Sequence, residues 1–121
     1  MRELAEQIAV FQWAEFAKRK YPQLAFLYAI PNGGSRHIAE AVNLKKSGTK
    51  SGVPDICLPV IRGEYGALYI EMKSDKGKAS PQQTVWIDYL NTNGYKAVVC
   101  RGSGEAIDII LKYLKGDKNE Y

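Results

Sequence analysis

The chain has 121 residues and a mass of 13.5 kDa; 45% of the residues are apolar and 25% are charged, as in one ordinary globular domain. No apolar run approaches the ~20 residues of a membrane span, and the first residues lack a signal-peptide segment, so a cytoplasmic protein is expected. The 17 Lys and Arg residues outnumber 13 Asp and Glu residues, and the resulting charge of +4 mildly favours a polyanionic partner. Cys57 and Cys100 lie in apolar runs, which predicts buried, reduced thiols rather than a disulfide or a zinc site.

Hydrophobic periodicity and turn residues predict eight elements. Apolar residues at three- and four-residue spacing indicate amphipathic helices, short apolar runs indicate strands, and Gly or Pro separate them. Ser80-Pro81 is typical of a helix start, because Ser caps the helix and Pro suits its first position. In chain order, the predicted elements are a helix from Leu4 to before Pro22, a strand over 24–30, a helix over 36–46, strands over 55–61 and 67–73, a helix over 80–93, a strand over 95–100 and a helix over 105–115, followed by a frayed tail over 116–121.

The two central strands are predicted to form an antiparallel hairpin. The connection over 62–66 contains two glycines and is short enough for this pairing. Pro59 indicates an edge strand or a bulge in the first of the two strands. The whole order of elements predicts an α/β fold in which a small mixed β-sheet is flanked by helices, as a single domain over 1–121.

Asp55, Glu71 and Lys73 are expected to meet at one end of this hairpin. Antiparallel pairing brings the start of the first strand beside the end of the second, and side-chain alternation places Glu71 and Lys73 on one face with Met72 on the other. Two carboxylates in a small volume are costly to desolvate, and a hard divalent cation such as Mg²⁺ offsets that cost. The cluster therefore predicts metal-assisted phosphodiester hydrolysis in which Lys73 orients the attacking water or neutralises charge.

A purely structural role remains the alternative for each of these residues. Asp55 is also a common residue type for a turn after Pro54. Glu71 and Lys73 are also suited to an ion pair on an exposed strand. The residues alone leave both interpretations open.

Longer sequence words carry a family resemblance. Pro54-Asp55 and, after fifteen intervening residues, Glu71-Met72-Lys73 resemble the PD-(D/E)xK nuclease motif. The surrounding words are PNGGSR over 31–36, LKKSG over 44–48, GVPD over 52–55, LYIEMK over 68–73 and SPQQTVW over 80–86. Together, and in this order, they resemble the virus-type replication-repair nuclease domain, VRR-NUC. The resemblance covers most of the chain and implies a core similar to that of restriction-type endonucleases.

The resemblance also implies a metal site. Mg²⁺ or Mn²⁺ would be bound by Asp55, Glu71 and the main-chain carbonyl of Met72, and Lys73 would be the catalytic lysine. These assignments agree with the chemistry expected from the residues themselves.

Two further site residues follow from the family pattern. Gln83 matches the glutamine that follows the family's catalytic strand, and a helix N-terminus can present it toward a metal or a phosphate. Family members also carry an acidic residue on the first helix that can complete the metal site. Glu3 fits this position best, and Glu6 is the alternative.

The expected partner is DNA. Arg36, in a glycine-rich loop, is a candidate phosphate contact because Arg binds phosphate in bidentate fashion. The lysines expected to follow a DNA backbone are Lys45, Lys46, Lys50, Lys76 and Lys78. Similarity to small stand-alone members, from bacteria or phages, implies an endonuclease that acts on branched DNA such as four-way (Holliday) junctions as a homodimer. A less selective nuclease on single-stranded, nicked or flap DNA and a non-cleaving DNA-binding module remain alternatives.

Overall fold

The computed structural model describes residues 2–31 and 38–116. Its elements, in chain order, are α1 (Arg2–Ala17), the 3₁₀ helix η1 (Pro22–Phe26), β1 (Tyr28–Ala29), α2 (Ile38–Lys46), β2 (Ile56–Leu58), β3 (Leu68–Lys73), α3 (Pro81–Thr92), β4 (Lys96–Arg101) and α4 (Ser103–Lys115). None of the helices in these ranges combines the length and the apolar character of a transmembrane span.

The strands form one mixed four-stranded sheet in the order β1-β2-β3-β4. β2 pairs antiparallel with both neighbours, and Ile56 lies opposite Ile70 on β3. β4 pairs parallel with β3, because the chain crosses over through α3 between them. This sheet, flanked by helices, confirms the predicted α/β fold and the predicted β2–β3 hairpin.

One face of the sheet forms the hydrophobic core together with α1 and α4. Leu68, Ile70 and Met72 alternate along β3 toward this face, and none of them is more than 1% exposed. Because side chains alternate along a strand, a shift of one residue in register would move Glu71 into the apolar core. Core packing therefore holds Glu71 on the opposite face.

The strand predicted over 24–30 is wrong in its first half. Pro22 starts η1, where the fixed φ angle of proline suits the first turn. Leu24 and Leu27 are buried three residues apart, whereas Phe26 is 69% exposed. The apolar run thus follows the period of a 3₁₀ helix, and only the two residues of β1 join the sheet.

The prediction that Pro59 marks an edge strand or a bulge is also wrong. β2 lies inside the sheet, between β1 and β3. The strand ends at Leu58, one residue before Pro59, because proline has no N–H group for the ladder. The connection to β3 is longer than predicted and includes an isolated antiparallel bridge between Arg62 and Tyr65.

The start of α3 was predicted correctly, whereas α4 starts earlier than predicted. For α3, Ser80 is the N-cap and Pro81 the first helical residue, which confirms the prediction. α4 starts at Ser103, two residues before the predicted start, because the Glu6 carboxylate accepts a hydrogen bond of 2.6 Å from the Ser103 N–H. A side chain from α1 thus caps α4 at a position where Gly102 offers no side-chain acceptor.

The remaining predictions about the chain concern its ends and its cysteines. Cys57 and Cys100 are buried and free, as expected. The predicted first residues of the second helix, 36–37, lie outside the described residues, and so does the tail beyond Gly116. The assignment of 1–121 to a single domain stays a prediction.

Candidate active site

Three charged side chains meet at the end of the β2–β3 hairpin. Asp55 immediately precedes β2, and its Oδ2 accepts a hydrogen bond of 2.7 Å from the Met72 N–H. On the sheet face opposite the core, Lys73 Nζ lies 3.6 Å from Glu71 Oε2. The structure thus brings together Asp55, Glu71 and Lys73, as the hairpin register predicts.

Glu71 is a buried carboxylate with one oxygen satisfied and one not. The residue is only 2% exposed. Its Oε2 accepts a hydrogen bond of 3.0 Å from Gln83 Nε2 and also faces Lys73. Its Oε1 is buried and has no hydrogen-bond partner. A buried acceptor without a partner costs about 1–3 kcal/mol, and either a proton shared with the Asp55 carboxyl group or a bound cation would offset that cost.

The site holds two negative charges poorly by itself. Burial raises the pKa of Glu71 to about 8, and the charge of Asp55 adds to this effect while Lys73 opposes it. Burial also raises the pKa of Asp55, against the hydrogen bond from the Met72 N–H. A divalent cation between the two carboxylates would stabilise both in their charged forms.

The N-terminus of α3 fixes the Gln83 amide. Ser80 and Gln83 form a capping box: the Ser80 N–H donates to Gln83 Oε1 at 2.8 Å, and the Gln83 N–H donates to Ser80 Oγ at 3.2 Å. With Oε1 engaged, Nε2 is left to donate to Glu71. The loop before Asp55 packs directly on this helix end, because a Cβ at Gly52, whose φ is +90°, would lie 2.8 Å from the Gln82 backbone.

Glu3 and Glu6, the two candidates on α1 for completing the metal site, have different surroundings in the structure. Glu3 Oε2 accepts a hydrogen bond of 3.2 Å from the Ser74 N–H, just beyond Lys73. The pKa of Asp55, raised mainly by burial, is raised further by the charge of Glu3. Glu6 instead caps α4, and the hydrogen bond from the Ser103 backbone lowers the pKa of Glu6. Glu3, and not Glu6, therefore lies beside the site.

Arg101 holds the loop that follows β3, a role that sequence reasoning missed. Its Nη1 donates to the carbonyl oxygens of Ser74, at 2.8 Å, and of Asp75 and Gly77. The parallel register places Arg101 opposite Lys73. Recognition of the β3–α3–β4 crossover as a parallel unit would have indicated that neighbourhood from the sequence.

The residues predicted to contact DNA occupy three places. Arg36 lies outside the described residues. Lys45, Lys46, Lys50, Lys76 and Lys78 are all exposed. Lys45 and Lys46 end α2. Lys50 lies two residues before Gly52, which packs against the N-terminus of α3. Lys76 and Lys78 lie in the loop held by Arg101. Exposed ammonium groups at these places are available to phosphates.

The oxygen atoms of the site suit a hard cation. The described part of the chain has no group of three or more His, Cys, Asp or Glu side chains close enough to hold a metal together. Asp55 and Glu71 therefore offer two carboxylates, to be completed by main-chain oxygen and water, a mixed set that Mg²⁺ accepts. The unpartnered, buried Oε1 of Glu71 fits such a cation.

Comparison with known proteins decides the family. The VRR-NUC domain profile matches residues 2–104. The chain belongs to the VRR-NUC family. A solved structure described as a "VRR_NUC domain protein" superposes on this VRR-NUC chain with a TM-score of 0.79 and is 31% identical to it; the match covers 96% of this chain and 90% of the other. No match was found among curated protein sequences. Family membership implies a nuclease-type function with DNA as the substrate.

Proposed function

We propose that this VRR-NUC chain is a metal-dependent endodeoxyribonuclease that cuts branched DNA, such as four-way junctions, as a homodimer. The observation that carries the proposal is the buried Glu71 carboxylate beside Asp55, with Oε2 held by Gln83 and Oε1 unpartnered. A buried charge with a free oxygen destabilises a protein unless a cation completes it. The same arrangement is useful for hydrolysis of a phosphodiester.

Three groups would hold the cation. Asp55, Glu71 and the main-chain carbonyl of Met72 are the proposed ligands of Mg²⁺ or Mn²⁺, and Glu3 completes the acidic surroundings. When bound, such a cation acts as a Lewis acid toward the phosphate and lowers the pKa of an attacking water.

The chain's own residues position the reaction. Lys73, with a side chain only 12% exposed, keeps its ammonium group next to Glu71, where it neutralises charge on the phosphate and orients the water. Gln83 is a positioning residue, because its capped amide fixes Glu71 Oε2 and leaves Oε1 available to a cation. Glu71 and Gln83 thus lie on a strand and at a helix end, which hold side chains more precisely than loops do.

Substrate binding is proposed to use the exposed lysines at 45, 46, 50, 76 and 78, together with Arg36. Phosphate contacts of this kind hold a backbone without reading its sequence. Two copies related by a two-fold axis would supply the two symmetric cuts that a four-way junction needs. A cytoplasmic location, in a bacterium or a phage-infected cell, belongs to the same proposal.

Cleavage assays test this proposal. A labelled immobile four-way junction, a flap and a matching linear duplex are each incubated with Mg²⁺, Mn²⁺ or EDTA, using the wild type beside Glu71→Gln. We expect paired, metal-dependent nicks in the junction, no cleavage in EDTA, and loss of cleavage with retained DNA binding in the variant. Light scattering should give twice the mass of one chain.

Other results separate the alternatives. Equal cleavage of flap and junction would replace junction selectivity with a less selective nuclease. Binding without cleavage under every metal condition would make the chain a DNA-binding module and would overturn the proposed activity.

A further inference from the structure

The sheet face that carries Glu71 continues into a row of aromatic side chains. The strand register places Tyr28 on β1 opposite Cys57 on β2, and Cys57 opposite Tyr69 on β3. Cys57 follows Asp55 by two residues and Tyr69 precedes Glu71 by two residues, so the row shares the face of the candidate site. Same-face neighbours on a strand are about 7 Å apart, so Cys57 and Tyr69 lie beside the two carboxylates. Tyr28 lies one strand further out, next to Cys57.

The two tyrosines of this row are accessible to different degrees. Tyr28, at the sheet edge, is 48% exposed. Tyr69 is half-buried, and its ring meets Tyr95 edge-on, with centroids 5.7 Å apart. The side chain of the buried Cys57 interacts with both Tyr28 and Tyr69 through their hydroxyl groups and raises the pKa of each; burial is the larger cause for Tyr69, whose pKa rises to about 12.

The chemistry of the surroundings indicates what this surface receives. The row adjoins the carboxylates at which a phosphodiester is proposed to be cut, and exposed lysines lie near the same site. In a continuous duplex the bases are stacked on each other and offer no face to a protein ring. An unpaired base does offer one, and stacking on an aromatic side chain tolerates any base.

We propose that Tyr28, supported by Tyr69, is a stacking platform for an unpaired nucleobase next to the scissile phosphate. The proposal rests on the proposed nuclease function and deepens it. It assigns to this surface the selection of DNA with a frayed or unpaired nucleotide at the cut, as at a branch point or a flap junction, without any preference for base sequence. Continuous duplex would leave the platform empty and would be a poorer substrate.

Fluorescence of 2-aminopurine tests the platform directly. The probe is a flap oligonucleotide with 2-aminopurine as its first unpaired nucleotide, titrated with the protein in Ca²⁺ so that binding is read without turnover. Stacking on Tyr28 should quench the probe when the wild type binds. Tyr28→Leu keeps an apolar side chain over the strand but removes the ring, and should lose most of the quenching and bind the flap roughly tenfold more weakly. Tyr28→Phe should behave like the wild type.

A matched control is available on the other side of the sheet. Phe16 is 70% exposed on α1, the helix that packs on the core face, so Phe16→Leu should leave quenching and flap affinity unchanged. Cleavage rates with Mg²⁺ on flap and continuous duplex give a second readout, in which Tyr28→Leu should lower the flap-to-duplex ratio about tenfold.

The outcomes keep the two proposals apart. In one outcome the wild type cleaves DNA, and Tyr28→Leu quenches the probe and discriminates between flap and duplex as the wild type does. The platform is then wrong and the nuclease assignment stands. If the wild type cleaves nothing yet quenches the probe through Tyr28, the platform stands and the catalytic assignment fails. Absence of quenching by folded wild type would overturn the platform.

Discussion

β3 buries Ile70 on one face and Glu71 on the other, but for opposite purposes. On the core face, Ile70 is fully buried among apolar side chains of the sheet, α1 and α4. On the other face, Glu71 is 2% exposed, yet one of its oxygens has no partner and its pKa is raised by burial to about 8. Burial alone does not distinguish a residue that stabilises the fold from one that acts on a ligand. The distinction depends on whether the buried polar atoms of the residue have hydrogen-bond partners.

The comparison also shows how one strand can carry both a stabilising core residue and a destabilising site residue. A fully buried aliphatic side chain contributes about 2–5 kcal/mol, measured by its truncation to Ala. A buried acceptor without a partner costs about 1–3 kcal/mol. The core face therefore offsets the unfavourable term on the site face, and the fold can carry a destabilising group where chemistry needs it. The following substitutions alter either the site or the core, so that their effects can be compared.

The largest expected effect is on catalysis, from Lys73→Met. Met has similar length without the charge, so the site should lose the group that stabilises the phosphate, and cleavage should fall about a hundredfold to a thousandfold. Cleavage rate at saturating DNA is the measurement. Lys78→Met, in the exposed loop, is the matched control and should change the rate less than a few-fold. Equal effects of the two substitutions would remove Lys73 from the catalytic machinery.

Truncation of the core face should instead affect folding. Ile70→Ala is expected to lower the free energy of unfolding by about 3 kcal/mol, because it leaves a cavity among buried neighbours. Glu71→Gln, one residue away and equally buried, should not destabilise the metal-free protein, because the neutral amide replaces a carboxyl group whose charged form burial already disfavours. Urea unfolding in EDTA measures both. A loss of stability in Glu71→Gln as large as in Ile70→Ala would mean that Glu71 is a structural residue.

The pH dependence of stability should reveal the raised pKa of Glu71. In the metal-free protein Glu71 keeps its proton up to a pKa of about 8, whereas an unfolded glutamate loses it near 4.5. The folded state thus binds more protons between these values, and the free energy of unfolding should decrease as pH rises through this window. Asp55, with its pKa raised as well, acts in the same direction.

Thermal unfolding from pH 5 to 8.5 measures this linkage. Glu71→Gln in EDTA should show a flatter pH profile than the wild type. Mg²⁺ should raise the Tm of the wild type more at pH 8 than at pH 6, since at the lower pH it must displace a proton. Superimposable profiles of the two proteins would show that Glu71 does not titrate in this range.

The smallest effect is expected from Arg101→Lys. A lysine side chain is one bond shorter, so its ammonium group should not reach the carbonyl oxygens that Arg101 Nη1 contacts in the loop after β3. We expect KM for DNA to rise a few-fold at nearly constant kcat, because the loop presents Lys76 and Lys78. Arg2→Ala removes an exposed ion pair with Asp75 from the same loop and should have almost no effect. A fall in kcat alone would place Arg101 in the chemical step.

Local sequence rules were sufficient for the parts of the molecule that depend on short-range pattern. Alternation along β3 separates Met72 from its neighbours, and the antiparallel hairpin then places Asp55 beside Glu71. Ser80-Pro81 likewise identifies the start of α3, from which Gln83 reaches the site. Side-chain period and helix capping are properties of a few consecutive residues, so they can be recognised without the tertiary structure.

Other features depend on contacts distant in sequence. The run over 24–30 is apolar enough for a strand, but it folds into η1 because Leu24 and Leu27 pack against the same core. The support from Arg101 requires the parallel pairing of β3 with β4, and the distinction between Glu3 and Glu6 requires α4 to start beside α1. The order of the elements points to the neighbours of Arg101, but no pattern of a few consecutive residues encodes the other contacts.

Direct binding of a metal ion tests the central claim that Glu71 Oε1 is a ligand position. Mn²⁺ would be titrated calorimetrically, in the absence of DNA, into the wild type and into Glu71→Gln, with circular dichroism to verify that both are folded. The account predicts saturable Mn²⁺ binding by the wild type that is competed by Mg²⁺ and is lost, or at least tenfold weaker, in the variant. Equal affinity of the two proteins for Mn²⁺ would contradict it.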